Sequence, residues 1–228
     1  MARKREGVNP DQQPGRPRDQ RRARSARTEE RIVRAATELM LAQGYAGTSL
    51  TEVATAAGVS ARTLYVRFAT KPDLLKRMID VAVVGDVDAV PLAQRPWVGV
   101  AFGAPTLDER ITALAEGLGE MHARLAPLVA LGVEVESAEP VIAEQAARAR
   151  AGNFEFMQGF WSALVRDRLV APDTDVEQVA ATTMLLSAAE TAVLRRRTFG
   201  EEIPEQYATW LSGALRAYAR TPPQQRGT

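Results

Sequence analysis

The stretch 49–68, SLTEVATAAGVSARTLYVRF, constrains this chain more than any other. Ser49 and Glu52 stand at capping-box spacing and open a short helix through Val53, Ala54 and Ala57. Gly58 supplies a tight turn, and Ser60 is placed to cap a second helix that ends near Phe68. The pattern on either side predicts two more helices. Thr28, followed by Glu29 and Glu30, is the expected N-cap of the first, which carries Ile32, Ala35, Ala36, Leu39 and Met40 near the 3.6 period and stops at Gly44. Thr70 and Asp73, with Pro72 in the first turn, start the other, through Leu74, Leu75, Met78, Ile79 and Val81. Two short helices on a glycine turn, held between longer ones, make a compact unit.

The second short helix has two unlike faces. Stepping 100° per residue brings Leu64 and Phe68 together on an apolar side that can pack inward. Arg62 and Val66 lie opposite with Thr63 beside them, and Tyr65 and Arg67 sit at the boundaries. A guanidinium fork, a hydroxyl and an apolar branch suit the DNA major groove, where they meet guanine O6 and N7, base or phosphate oxygens, and thymine methyls. A tyrosine hydroxyl at the edge reaches a phosphate. Two short helices separated by 57-AGVS-60 also match a helix-turn-helix, whose second helix enters the groove. The plainer reading is a surface helix in a chain that favours arginine.

Charge divides the chain. Residues 1–78 carry 16 Lys/Arg against 8 Asp/Glu, and residues 79–228 carry 13 against 20, so +8 and −7 sum to the overall +1. A basic first third points to a polyanion partner at one end, or to nothing more than a solvated tail. Residues 1–27 hold few apolar side chains and are expected to be a disordered basic arm. Within them, Gly15-Arg16-Pro17-Arg18 is similar to an AT-hook core, so Arg16 and Arg18 are candidate minor-groove contacts, against the alternative of a basic tail with no defined partner.

Beyond the compact unit, 86–105 contains three prolines and is expected to have little helix. Every later pattern is helical: Leu107–Leu125 broken by Pro127, a helix opened by Pro140 and running to Val165, Val176–Leu194, and Ile203–Tyr218. With no strand alternation and no repeat, the expected fold is all-α. The chain has no cysteine, so disulfides and thiolate metal sites are excluded. The absence of a long apolar run and of a secretory pattern leads to the expectation of a cytoplasmic protein with no membrane span. No Gly-rich phosphate loop, metal-ligand spacing or nucleophile signature supports an enzyme, and no cofactor or metal is expected.

Residues 31–79 resemble the DNA-binding domain of the tetracycline-repressor (TetR) family. The resemblance is carried by Ala35-Ala36, Leu39, Gly44-Tyr45, Thr48-Ser49, Val53-Ala54, 57-AGVS-60, Thr63-Leu64-Tyr65, Phe68 and Lys71. It implies a three-helix reading head over 28–78, a helical ligand-binding and dimerisation domain over 79–220, and a disordered tail over 221–228. It further implies a homodimeric repressor that leaves double-stranded operator DNA when a small, apolar effector binds. A ligand-independent or activating regulator of the same family is the alternative. On this resemblance Thr51, Tyr65 and Lys71 contact phosphate, Arg67 does so at a position where the family varies, and Thr48 is counted among the DNA contacts. Ser60, Arg62, Thr63 and Val66 line the groove-facing helix.

For the larger domain the candidate pocket residues are Trp97, Phe102, Met121, His122, Phe154, Met157, Phe160, Trp161 and Met184, against the alternative that such a stripe is filled core. His122, the only histidine, reads as a core or pocket-edge imidazole rather than a catalytic one. Glu134, Glu136, Glu139 and Glu144 read as a solvated face. The last two helices offer Ala180, Thr183, Ser187, Ala188 and Thr191, and Tyr207, Trp210, Leu211, Ala214 and Tyr218, as a dimer interface of small and aromatic residues.

Overall fold

The expected caps are formed. Ser49–Glu52 and Thr70–Asp73 make reciprocal capping boxes, and the Ser60 side chain accepts the Thr63 N–H. The computed structural model describes residues 17–85, 91–200 and 203–220. Among them are α1 (Pro17–Gly47), α2 (Leu50–Ala56), α3 (Ala61–Arg67), α4 (Lys71–Val84), α5 (Pro96–Gly103), α6 (Leu107–Val135), α7 (Pro140–Arg166), α8 (Val176–Leu186), α9 (Ala189–Phe199) and α10 (Pro204–Arg220). A single 3-10 turn occupies Leu92–Gln94, and the described residues contain no strand.

Five features differ from the sequence expectation. α1 starts at Pro17 rather than Thr28, so 17–27 is helical. Pro17 fits a helix's first turn, and adding Ala and Arg residues to a helix already nucleated downstream needs no core of its own. Gly44, the expected end of this helix, is where it kinks, with φ 78. Residues 96–103 form α5, opened by Pro96. α6 runs through Pro127, whose cost to a helix interior is outweighed by burial of Leu125, Ala126, Leu128 and Leu131 around it. The expected helix 176–194 is broken between α8 and α9, where Ala188 is extended. There the Ser187 hydroxyl donates to the Met184 carbonyl and the Thr191 hydroxyl to the Leu185 carbonyl, competing with the helical ladder.

The side chains pack into two apolar cores. One joins α1–α4 to Leu125, Leu128 and Leu131 of α6 and Ile142 of α7. The other joins α5, α8, α9 and α10 to the first half of α6 and the second half of α7. α6, 29 residues and therefore about 43 Å long, is common to both. Helices α1–α4 are thus fastened to α6 and α7 by shared core and by polar ties. Tyr45 donates to Glu139 Oε1 at 3.1 Å, and Arg124 Nε donates to the Ala82 carbonyl at 3.2 Å.

Several residues expected at a dimer interface lie inside this core. Ala180, Thr183 and Leu211 are fully buried, and Ser187 and Tyr207 nearly so. The buried Trp161 indole N–H donates to Thr183 Oγ1 at 2.9 Å, which explains a threonine at a core position. Thr183→Val would leave that N–H without a partner. The expected result is a loss of about 1–3 kcal/mol of unfolding free energy in urea titrations, with no change of oligomeric state. An interface role for Thr183 would give the opposite pattern.

Candidate DNA-binding face and effector cavity

The turn between α2 and α3 closes as a Schellman motif. The Gly58 N–H bonds the Thr55 carbonyl, and the Val59 N–H bonds the Ala54 carbonyl. Gly58 has φ +62, and a Cβ there would stand 2.8 Å from Arg31 Nη2. Arg31, on α1, donates to the carbonyls of Ala57 and Gly58, the latter at 2.7 Å. Glycine is therefore required twice, for its backbone conformation and for the approach of the guanidinium. Arg31 has no signature in the sequence beyond being one arginine among many.

α3 buries Leu64 against the head, with Phe68 just beyond it, and turns its other side outward. Val66 is 78% exposed and Tyr65 49%. Arg62 is exposed with no partner among the described residues. The Ser60 and Thr63 hydroxyls lie 2.7 Å apart and satisfy one another, and Thr51 is exposed at the start of α2. All of these residues lie on the exposed or half-exposed side of α2 and α3.

Three expected contacts are placed differently. Thr48 is 2% exposed; its hydroxyl donates to the Gly44 carbonyl, so it fixes the α1–α2 connection. Arg67 donates to Glu29 at 3.3 Å and to Ser25 at 2.7 Å, and Glu29 also accepts from Arg77 at 2.6 Å, so Arg67 is held against α1. Lys71 donates to the carbonyls of Tyr45 and Thr48 at 2.8 and 3.0 Å and lies 4.3 Å from the Tyr45 ring centre. An ammonium has three donors, so these two bonds leave one uncommitted. Arg16 falls outside the described residues, and Arg18 sits in the first turn of α1. Behind it the exposed Arg21, Arg22, Arg24 and Arg27 follow along the helix.

A cavity of about 390 Å³ lies between the two cores. Ile79 and Val83 of α4, Leu125 and Val129 of α6 and Ile142 of α7 come from the first core; Trp97, Leu118, Phe156 and Met184 come from the second. Ser187, Ala188, Ala189 and Glu190 at the α8–α9 break close another side. Of the expected pocket residues, Trp97, Met121, His122 and Met184 line it. Met157, Phe160 and Trp161 are fully buried core instead, and Phe102 and Phe154 pack on the second core away from the lining. Trp97 reaches its place because α6 has glycine at 117, where a Cβ would lie 2.3 Å from the indole.

The polar lining was missed by sequence reasoning. Arg150 donates to Glu136 at 2.7 Å and Glu190 at 3.1 Å, and these bonds, Glu136 first, raise its pKa. Gln145 Nε2 donates to the Lys76 carbonyl at 3.3 Å and to Asp80 Oδ1 at 3.1 Å, linking α7 to α4. Glu136 and Glu139 are therefore not part of a plain solvated face, whereas Glu144 pairs with Arg148 on the surface. Burial, and then the bond to Glu139, push the Tyr45 hydroxyl well above its ordinary range. Among the described residues no three His, Cys, Asp or Glu side chains are placed to hold a metal ion, and no helix is long and apolar enough to cross a membrane.

The short capped α2, the Schellman turn and the outward face of α3 define a helix-turn-helix protein. Residues 32–78 match the family model of bacterial regulatory proteins, tetR family. Solved structures share the whole architecture. The fatty acid degradation regulator FadR from Bacillus halodurans has a TM-score of 0.65 at 14% identity, over 86% of this chain and 97% of that one. A TetR-family transcriptional regulator from Mesorhizobium loti has 0.63 at 19% identity, over 86% and 96%. One from Rhodococcus sp. has 0.63 at 18%, over 86% and 99%. No curated protein matches the chain by sequence.

His122 allows a test of the cavity wall. It is 4% exposed, and burial lowers its pKa from 6.5 to about 4. The unfolded chain takes up that proton near pH 6.5 and the folded chain only near pH 4, so stability falls as pH drops through this window, by up to about 3 kcal/mol. In His122→Leu this component is absent. Urea unfolding from pH 7 to 4 should show a shallower acid loss in the variant than in the parent chain, and parallel curves would refute a buried neutral imidazole.

Proposed function

We propose that the chain is a dimeric transcriptional repressor that leaves its operator when a small, mainly apolar effector enters the cavity. The observation that carries this reading is the position of α4. Leu74, Leu75 and Met78 are fully buried in the core that holds the reading head, while Ile79 and Val83 of the same helix line the cavity. An effector that binds better to a conformer with α4 displaced shifts the population away from the one whose two heads match successive major grooves. Arg62, Thr63 and Val66 read bases, Ser60 supports them, and Tyr65, Thr51 and the remaining Lys71 donor hold phosphates. The exposed arginines of the first turns of α1 extend the phosphate contact beside the head.

Dimerisation uses a face further out than the one expected from sequence. Leu185, Leu194, Phe199, Ile203 and Tyr218 are large apolar side chains left exposed on or beside α8, α9 and α10. Trp210 and Ala214 share a side of α10 with Ile203 and Tyr218, and Thr191 lies one turn before Leu194 on α9. A second copy covering this surface in two-fold fashion buries it and presents two α3 helices to a pseudo-palindromic operator. Such a regulator works in the cytoplasm and needs no cofactor.

Arg62→Ala should relax preference at one operator position by about 1–3 kcal/mol, as read from competition among singly substituted operators, because the base edge loses its fork donor. Tyr65→Phe should weaken all sequences alike. A uniform loss in Arg62→Ala would remove it from base reading. Phe199 is 73% exposed, and Phe199→Glu places a charge in the proposed interface. The expected outcome in sedimentation is monomer where the parent chain is dimer, at unchanged helix content; a dimeric variant would place the interface elsewhere.

A further inference from the structure

The balance of donors and acceptors around the cavity narrows what it takes, given the reading of this cavity as the effector site. Among the described residues, three lining side chains carry formal charge: Glu136, Glu190 and Arg150. Their sum is −1, and the one cation is already bonded to both carboxylates at 2.7 and 3.1 Å. An entering carboxylate or phosphate would find no uncommitted positive charge, and it would sit beside two like charges.

The neutral polar groups lean the same way. Gln145 Nε2 spends its two N–H bonds on Lys76 O and Asp80 Oδ1, both acceptors. That pairing fixes the orientation of the amide, so the atom left over is an acceptor. Gln145 Oε1 is buried without a partner. Asn153 Nδ2 is committed to the Met184 carbonyl, and the Ser187 hydroxyl has Asn153 Oδ1 and the Met184 carbonyl as acceptors. Around Gln145, then, the donors are spent and an acceptor remains.

We propose that the effector is a mostly apolar molecule whose polar end donates hydrogen bonds and carries no negative charge: an amine or a hydroxyl compound rather than a free acid or acyl phosphate. Its apolar body rests on Trp97, Met121, Phe156 and Met184. Its donor is received by the Glu136–Glu190 side of the mouth or, on a small turn of the amide, by Gln145 Oε1. The second arrangement loosens the Gln145 bonds to Lys76 and Asp80 and so reaches α4 directly.

The test uses full-length protein and four matched probes: octylamine, 1-octanol, octyl methyl ether and octanoate. Binding is read by calorimetry, and release of DNA from the protein's own upstream region by fluorescence anisotropy. Octylamine and 1-octanol are expected to bind at least ten-fold more tightly than octanoate and the ether. In the Glu136→Gln, Glu190→Gln double variant Arg150 is left unopposed, and octanoate should overtake octylamine. Octanoate or the ether binding the parent chain as well as 1-octanol would overturn the proposal, as would no binding by any probe. Probe binding without DNA release leaves the ligand class standing and removes the effector role. Release by octanoate alone does the reverse.

Discussion

One helix buried in two cores sets the terms for everything else. α6 supplies Leu125, Leu128 and Leu131 to the core of the reading head and Ile111, Leu114 and Leu118 to the core of the larger domain. At about 25 cal/mol per Å² of apolar surface, such burial is the largest favourable contribution available to an all-helical chain without disulfides. It also explains how α6 carries Pro127 in its interior. Between the two cores the packing is incomplete, and the cavity is the gap. Side chains of both clusters face it, so filling it changes how the two cores meet.

The reading face depends on a smaller constraint, the fixed angle between α2 and α3. Neither helix reaches the length at which it would persist alone. Their geometry is set by caps at each start, by the left-handed Gly58 between them and by the Arg31 guanidinium drawing in the two carbonyls of the turn. Arg67 and Arg77 converge on Glu29 and hold the end of α3 and the middle of α4 to α1. Cations that composition alone would assign to DNA are thus spent on the scaffold, which leaves Arg62 as the outward fork of α3.

Much of this was legible in the sequence where the signal is local. Capping boxes, the glycine turn and the two faces of 60–68 depend on spacings within a few residues, and they form as read. The cavity was only partly legible, for a physical reason. Large aromatic and methionine side chains were the expected walls, but bulk fills space, and Met157, Phe160 and Trp161 became core. The void opens where side chains are small: Gly132, Ala146, Ala149, Gly152, Ala188 and Ala189. The polar groups there, Gln145, Arg150 and Glu136, acquire meaning only from partners far along the chain or on another helix. Small residues at 180, 183 and 187 likewise allow close approach within the protomer as readily as between two copies, and within the protomer they are buried.

The polar ties between the domains give the shared core a direction. Glu139, at the N-terminus of α7, accepts from Tyr45, whose ring lies under the Lys71 ammonium, whose other partner is the Thr48 carbonyl just before α2. Gln145, two turns along α7, holds α4 through Lys76 and Asp80. Both ties begin on α7, and both end on elements that orient the helix-turn-helix. Glu136, Gln145 and Arg150 face the cavity from the residues around the first of these ties. A molecule that moves α7 against α4 by a fraction of an ångström therefore strains a chain of charged and dipolar contacts rather than a compliant apolar surface. Hydrogen bonds weaken steeply with misalignment. Such contacts favour two discrete arrangements over continuous drift.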